Sequence, residues 1–227
     1  MVSLAARAFA EEGWTVLQMD AHGCGDSEGD FGDASWDSWL TDLDRAHAWL
    51  SQDTPGPLVM WSLRTGSLLA SSWQARASHR LPILAWQPVF NGKQYLTQFL
   101  RIRLGADLAQ STQAKNLLTE LRASLQAGQA ASIGGYWLSP AMASGLEAAV
   151  FSPAADDTGP VTLLEVVSGD PPELTPAIEN WLSSATEAGR ACQGQAVQGN
   201  KFWQSKEIET AANLIEPSLA ALRAWAA

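Results

Sequence analysis

The sequence predicts an α/β fold: a mostly parallel sheet with helices on both faces. Three observations carry that reading. Short apolar runs, "WTVLQM" (14–19), "LVMW" (58–61), "LPILAW" (81–86) and "PVTLLEVVS" (160–168), alternate with stretches of helical periodicity. Unbroken apolar runs suit strands buried on both faces, as parallel strands are. After "LVMW" two small residues bracket a turn that leads into an Ala/Leu/Ser helix, the outline of a strand–elbow–helix.

The elements follow in order. Leu4, Ala5, Ala8 and Phe9 repeat at helical spacing over 3–12 and stop at Gly13. "WTVLQM" is a buried strand ending at Asp20. A polar, glycine-rich loop, "DAHGCGDSEGDFGDAS", leads to a helix marked by Trp36, Trp39, Leu40, Leu43 and Leu50, with Asp33 or Ser35 as its cap. "PGP" breaks the chain before the second strand, 58–61. A helix from Gly66 to about Ser78 and a strand at 81–86 come next. Helical stretches near 93–104, 112–127 and 140–149 then occur with no strand between them, except one at "IGGYWL". That is an insertion after a strand. The core is therefore expected in 1–86 and 147–227, with a helical cap at 87–146. A strand over 160–168, a helix over 174–189, a strand near 194–198 and a helix over 205–226 close the chain. About five strands are expected.

Composition narrows the function. With 227 residues, 46% hydrophobic and 17% charged, the chain can bury a real core and is not disordered. No apolar run reaches the roughly 18 residues of a membrane span, and the start reads as an amphipathic helix, not a signal peptide. A net charge of −10 argues against nucleic acid or an anionic membrane as partner. The two cysteines, Cys24 and Cys192, form no disulfide framework or zinc motif, and a reducing cytoplasm is the simplest compartment. No cofactor and no metal is implied. The carboxylates Asp26, Glu28, Asp30 and Asp33 lack the spacing of a calcium loop and read as caps and turns. Eleven tryptophans serve either as core filler or as the lining of a cleft.

A nucleophile elbow is small–x–nucleophile–x–small at a strand end, because strand and helix pack close around a strained turn. "Ser62-Leu63-Arg64-Thr65-Gly66" fits that template with Arg64 at the tip; registers that place Ser62 or Ser67 there put large residues at the small positions. Arg64 is open to three roles: an internal ion pair with Asp20, Asp26 or Asp170, an anion-binding point at a helix start, or a direct part in catalysis. His22 and Cys24 lie just past a strand's carboxyl end, where ligands bind in open α/β sheets. They are either a Cys–His pair or a small residue in a tight turn with its neighbour. His47 is structural, and His79 ends a helix where a cation suits the dipole.

The loop "DAHGCGDSEGDFGDASWDSWLTDL", the elbow "WSLRTGSLLA" and the tail "NKFWQSKEIE" (200–209) together resemble the α/β-hydrolase-fold proteins associated with exosortase systems, the second ortholog group. The resemblance spans nearly the whole chain. It implies an α/β-hydrolase fold, the company of exopolysaccharide and protein-sorting genes, and action on an acyl ester or thioester. Relatives begin earlier, so it also implies that N-terminal strands, and half of the oxyanion hole, are missing from this chain. It places the triad acid at Asp170 and the base within "Gly199-Asn200-Lys201-Phe202", which holds no imidazole. A Ser-His-Asp mechanism is therefore not expected. Arg64 and Asp170 stand as catalytic candidates. His22, Cys24, Thr65 and Lys201 are the ligand-binding candidates. The partner is a small-molecule substrate or an anionic ligand; the competing reading is a non-catalytic protein that binds an anionic metabolite or an assembly partner.

Overall fold

The computed structural model describes residues 1–53, 56–77, 80–104, 112–154, 159–205 and 207–226. They fall into two compact units. One comprises Met1–Leu17, Leu50–Val89 and Phe151–Ala227, and the other Gln18–Trp49 and Phe90–Val150.

The first unit holds a four-stranded, all-parallel sheet. Its strands are β1 (Met60–Leu63), β2 (Ile83–Trp86), β5 (Val161–Val167) and β6 (Cys192–Gln198), side by side in that order. β2 and β5 are buried almost throughout, as their apolar runs require. β6 alternates exposed glutamines with half-buried residues and so makes a polar edge. Helices α1 (Val2–Glu11), α3 (Gly66–Ala77), α7 (Pro176–Glu187) and α8 (Ile215–Ala226) belong to the same unit. Ala5 and Phe9 of α1 and Leu219, Ala221 and Leu222 of α8 pack with Leu84, Trp86, Leu164 and Val166 in one core. The Trp86 indole donates to Ser218 Oγ at 2.9 Å, and Ser218 in turn donates to Leu214 O, so the buried N–H is satisfied.

The second unit includes α2 (Trp36–Asp53) as far as Trp49, and Ser35 caps that helix by accepting from Ser38 N at 2.9 Å while Ser38 Oγ accepts from Ser35 N. Helices α4 (Gly92–Arg101), α5 (Thr112–Gln126) and α6 (Pro140–Ala148) follow, with a short hairpin of β3 (Ala131–Ile133) and β4 (Tyr136–Leu138) before α6. Asn91 caps α4 and Ser139 caps α6 through their side chains.

The parallel sheet agrees with the sequence reading, and three local expectations need correction. "WTVLQM" is extended but is not a strand, because Thr15–Met19 make no backbone hydrogen bond among the described residues and a strand exists only with a partner. β1 starts two residues later than expected, where pairing with β2 begins. The last helix begins at Ile215 after a single 3-10 turn (Ala212–Leu214), not at 205. No described helix is long and apolar enough to cross a membrane. His79 lies outside the described residues.

Candidate active site

All four strands of the sheet point the same way, so their carboxyl ends share one edge. That edge carries the elbow. Arg64 follows β1 with φ 54, a left-handed conformation that non-glycine residues rarely adopt. Its amide donates to Trp86 O at 3.0 Å as the last rung of the β1–β2 ladder, and its carbonyl accepts from Ser67 N and Ser67 Oγ in the first turn of α3. A Cβ on Gly66 would stand 3.3 Å from Ser62 Cβ. A side chain at position 66 would therefore crowd Ser62 by a few tenths of an ångström.

The surroundings of Arg64 are unusual for a cation. It forms no ion pair among the described residues. Its guanidinium makes one long contact, to Gln87 O at 3.5 Å, and its Cζ lies 5.8 Å from the centre of the Trp203 ring. The Trp203 indole N–H is buried and has no acceptor among the described residues. The main-chain N–H groups of Thr65 and Gly66, just past the tip, have no acceptor among the described residues, as is usual where a helix starts. The buried indole N–H and the guanidinium thus bring donors to this strand end that have no strong acceptor among the described residues. Gln87, after β2, shares the strained conformation at φ 45. Its side-chain oxygen accepts from Val166 N at 2.8 Å, where β5 runs on past the end of β2.

The family model for "Serine aminopeptidase, S33" matches residues 2–133, more than half of the chain and including the elbow. The chain belongs to this family. Among solved structures, the S33-family chain is similar to the α/β hydrolase GrgF from Penicillium sp. sh18 at 15% identity, with a TM-score of 0.59 over all of this chain and 85% of that one. It is also similar to a metagenome-derived lipolytic enzyme of the LipS and LipT pair, at 15% identity and TM-score 0.55 over 98% and 87% of the two chains. DcsB, solved with a substrate analogue, matches at 13% identity and TM-score 0.55 over 100% and 85%. No curated protein matches. These likenesses establish an α/β-hydrolase fold.

The other candidates are placed as follows. Thr65 is half-buried beside the tip. Asp170, three residues past β5, is exposed and makes no hydrogen bond or ion pair among the described residues. Lys201 is exposed in the loop after β6. From that loop it is Trp203, not Lys201, that reaches Arg64. Sequence reasoning missed Trp203; the signal was its place directly after Phe202, the last residue of the segment singled out for the base.

His22 and Cys24 belong to the second unit. His22 N donates to Asp42 Oδ2 at 2.8 Å, His22 O accepts from the Trp39 indole at 3.0 Å, and the imidazole lies against Gly29, where a Cβ would come within 2.6 Å. Cys24 sits in a tight turn, its N–H bonded to Ala21 O and its carbonyl to Ser27 N. Burial, and then the Asp20 carboxylate, push its thiol up. No hydrogen bond joins Cys24 to His22. No group of His, Cys, Asp and Glu among the described residues could hold a metal.

Proposed function

We propose that this protein is a hydrolase of acyl esters or thioesters that works through a degenerate triad, in the exosortase- and exopolysaccharide-associated branch of its family. The observation that carries the reading is Arg64 itself: a left-handed elbow tip at the carboxyl edge of the sheet, between the small residues Ser62 and Gly66, with no ion pair among the described residues. In that position a guanidinium offers paired donors to the carbonyl oxygen or carboxylate of an acyl compound. The Thr65 N–H beside it supports charge developing on the same oxygen. Asp170, at the acid position, keeps an unpaired carboxylate with which a water can be activated. Residues 87–146 serve as the cap, and the exosortase association rests on the loop and elbow motifs.

A second reading has its own observation. The buried Trp203 N–H without an acceptor suits a protein that only holds an anionic ligand. Turnover of short-chain p-nitrophenyl esters and acyl thioesters separates the two. Under the hydrolase reading, wild type exceeds the buffer rate and Arg64→Ala falls about 100-fold, the loss typical of one oxyanion donor. Equal rates in wild type, Arg64→Ala and Asp170→Asn remove the hydrolase reading. Calorimetric binding of small carboxylates and phosphates that Arg64→Ala abolishes then establishes the binding role.

A further inference from the structure

Three large apolar side chains of the second unit stand in water together. Ile102, Tyr136 and Trp137 are 59%, 65% and 59% exposed. They adjoin one another: a Cβ on Gly134 would stand 3.6 Å from Ile102 Cγ2, and Tyr136 lies two residues further along the hairpin. The hairpin turns through Gly134 and Gly135, both at positive φ (57 and 92), the conformation that a tight two-residue loop requires. Tyr136 meets Phe31 edge-on at 6.2 Å, and Trp137 packs over Gly32, where a Cβ would come within 3.0 Å of its own. Aromatic side chains fixed in this way lose little freedom on contact, and a contiguous apolar strip on a polar surface marks an interface.

The strip is bordered by opposite charges. On the β3 side, exposed Arg101 and Arg103 flank Ile102, and Arg103 donates to Ser132 O at 3.2 Å. On the β4 side, exposed Asp30 and Asp33 flank Phe31 and Gly32, and Asp33 accepts from Asp30 N at 3.1 Å. None of these four side chains forms an ion pair among the described residues. We propose that a second copy of this chain docks here, about a two-fold axis through the aromatic strip. That rotation lays the two strips face to face and sets the arginine flank of each protomer against the aspartate flank of the other. Both flanks are then matched at once. A bilayer surface carries no such pair of opposed charged stripes, so it suits one flank only.

The test reverses one flank at a time. Arg101→Glu with Arg103→Gln makes the basic flank net acidic. Asp30→Lys with Asp33→Asn makes the acidic flank net basic and keeps an acceptor for the backbone N–H at position 30. Sedimentation at about 0.1 M salt, where charges act over roughly 10 Å, should show a concentration-dependent wild-type dimer. Each variant alone should associate about tenfold more weakly or worse, because like flanks then face each other. An equal mixture of the two variants should return to within about threefold of wild type, since every flank again meets its opposite. Recovery on mixing also shows that both variants fold. A wild type that stays monomeric at about 0.5 mM overturns the proposal. So does a dimer that neither variant weakens, or a mixture no stronger than its components. A monomeric wild type that binds phosphatidylcholine or phosphatidylglycerol vesicles, and loses them in Trp137→Ala, overturns the dimer and gives the strip to a lipid surface.

Discussion

Arg223 donates two hydrogen bonds to Glu12, at 2.7 and 3.1 Å, and so clamps the end of α8 to the residue that closes α1. It also reaches Glu216 at 2.8 Å. The Arg223 hydrogen bond holds the Glu12 carboxyl below its ordinary value of 4.5. A carboxyl lowered in the folded state adds stability above its unfolded value and loses that contribution as pH falls through the lowered one. Arg223→Ala should therefore lower Tm at about pH 7 and have little effect at about pH 3. Both partners are exposed, so 0.5 M salt (roughly a 4 Å screening length) should shrink the neutral-pH effect.

Arg64 holds a conformation that glycine adopts freely. Arg64→Gly relieves it and Arg64→Ala does not, so urea unfolding should find the glycine variant more stable than the alanine variant by about 1 kcal/mol. Both variants lose whatever Arg64 binds. A glycine variant no more stable than alanine would mean that the elbow relaxes when the side chain goes.

At Gly66 the space is already short. Gly66→Val places a branched side chain where a bare Cβ stands 3.3 Å from Ser62 Cβ. The expected loss is about 1–3 kcal/mol in urea unfolding. Ser62→Gly in the same chain should recover part of it, a coupling a double-mutant cycle reads directly.

The raised Cys24 thiol predicts slow chemistry. At about pH 7.5, iodoacetamide should modify Cys24 more slowly than free cysteine, because the thiolate is the reacting form. Asp20→Asn removes the nearby negative charge and keeps an oxygen for the Asp26 N–H now bonded to Asp20 Oδ2. That variant should react faster than wild type, and an unchanged rate would leave burial as the whole cause.

Much of this architecture was legible because local chemistry and tertiary structure agree. The apolar run at 161–167 became the most buried long strand, and Ser62, Arg64 and Gly66 announced the elbow through sterics alone. "WTVLQM" misled for the converse reason: its composition is that of a buried strand, but pairing is a property of two segments and composition describes one. Arg190 was equally silent. It is only 5% exposed, packs against Phe151 and Trp181, donates to Gly159 O and Ser152 O, and is pulled down to about 10 by burial. Nothing in "EAGRACQ" distinguishes it from a surface cation. Trp203 needed the meeting of two loops from opposite halves of the chain, which no spacing rule encodes.

The order of the strands has a consequence for synthesis. β1 and β2 leave the ribosome early, but β2 is completed only by β5, which follows after the whole 87–146 segment. Until then the Ile83–Trp86 strand, fully buried in the finished protein, has one bare side, and the Trp86 indole waits for Ser218, 132 residues later. Pairings this distant in sequence form slowly, and the half-built sheet is a target for aggregation in the meantime. Yield on expression should therefore respond to slower translation, lower temperature or added chaperone more than to changes that stabilise the finished fold.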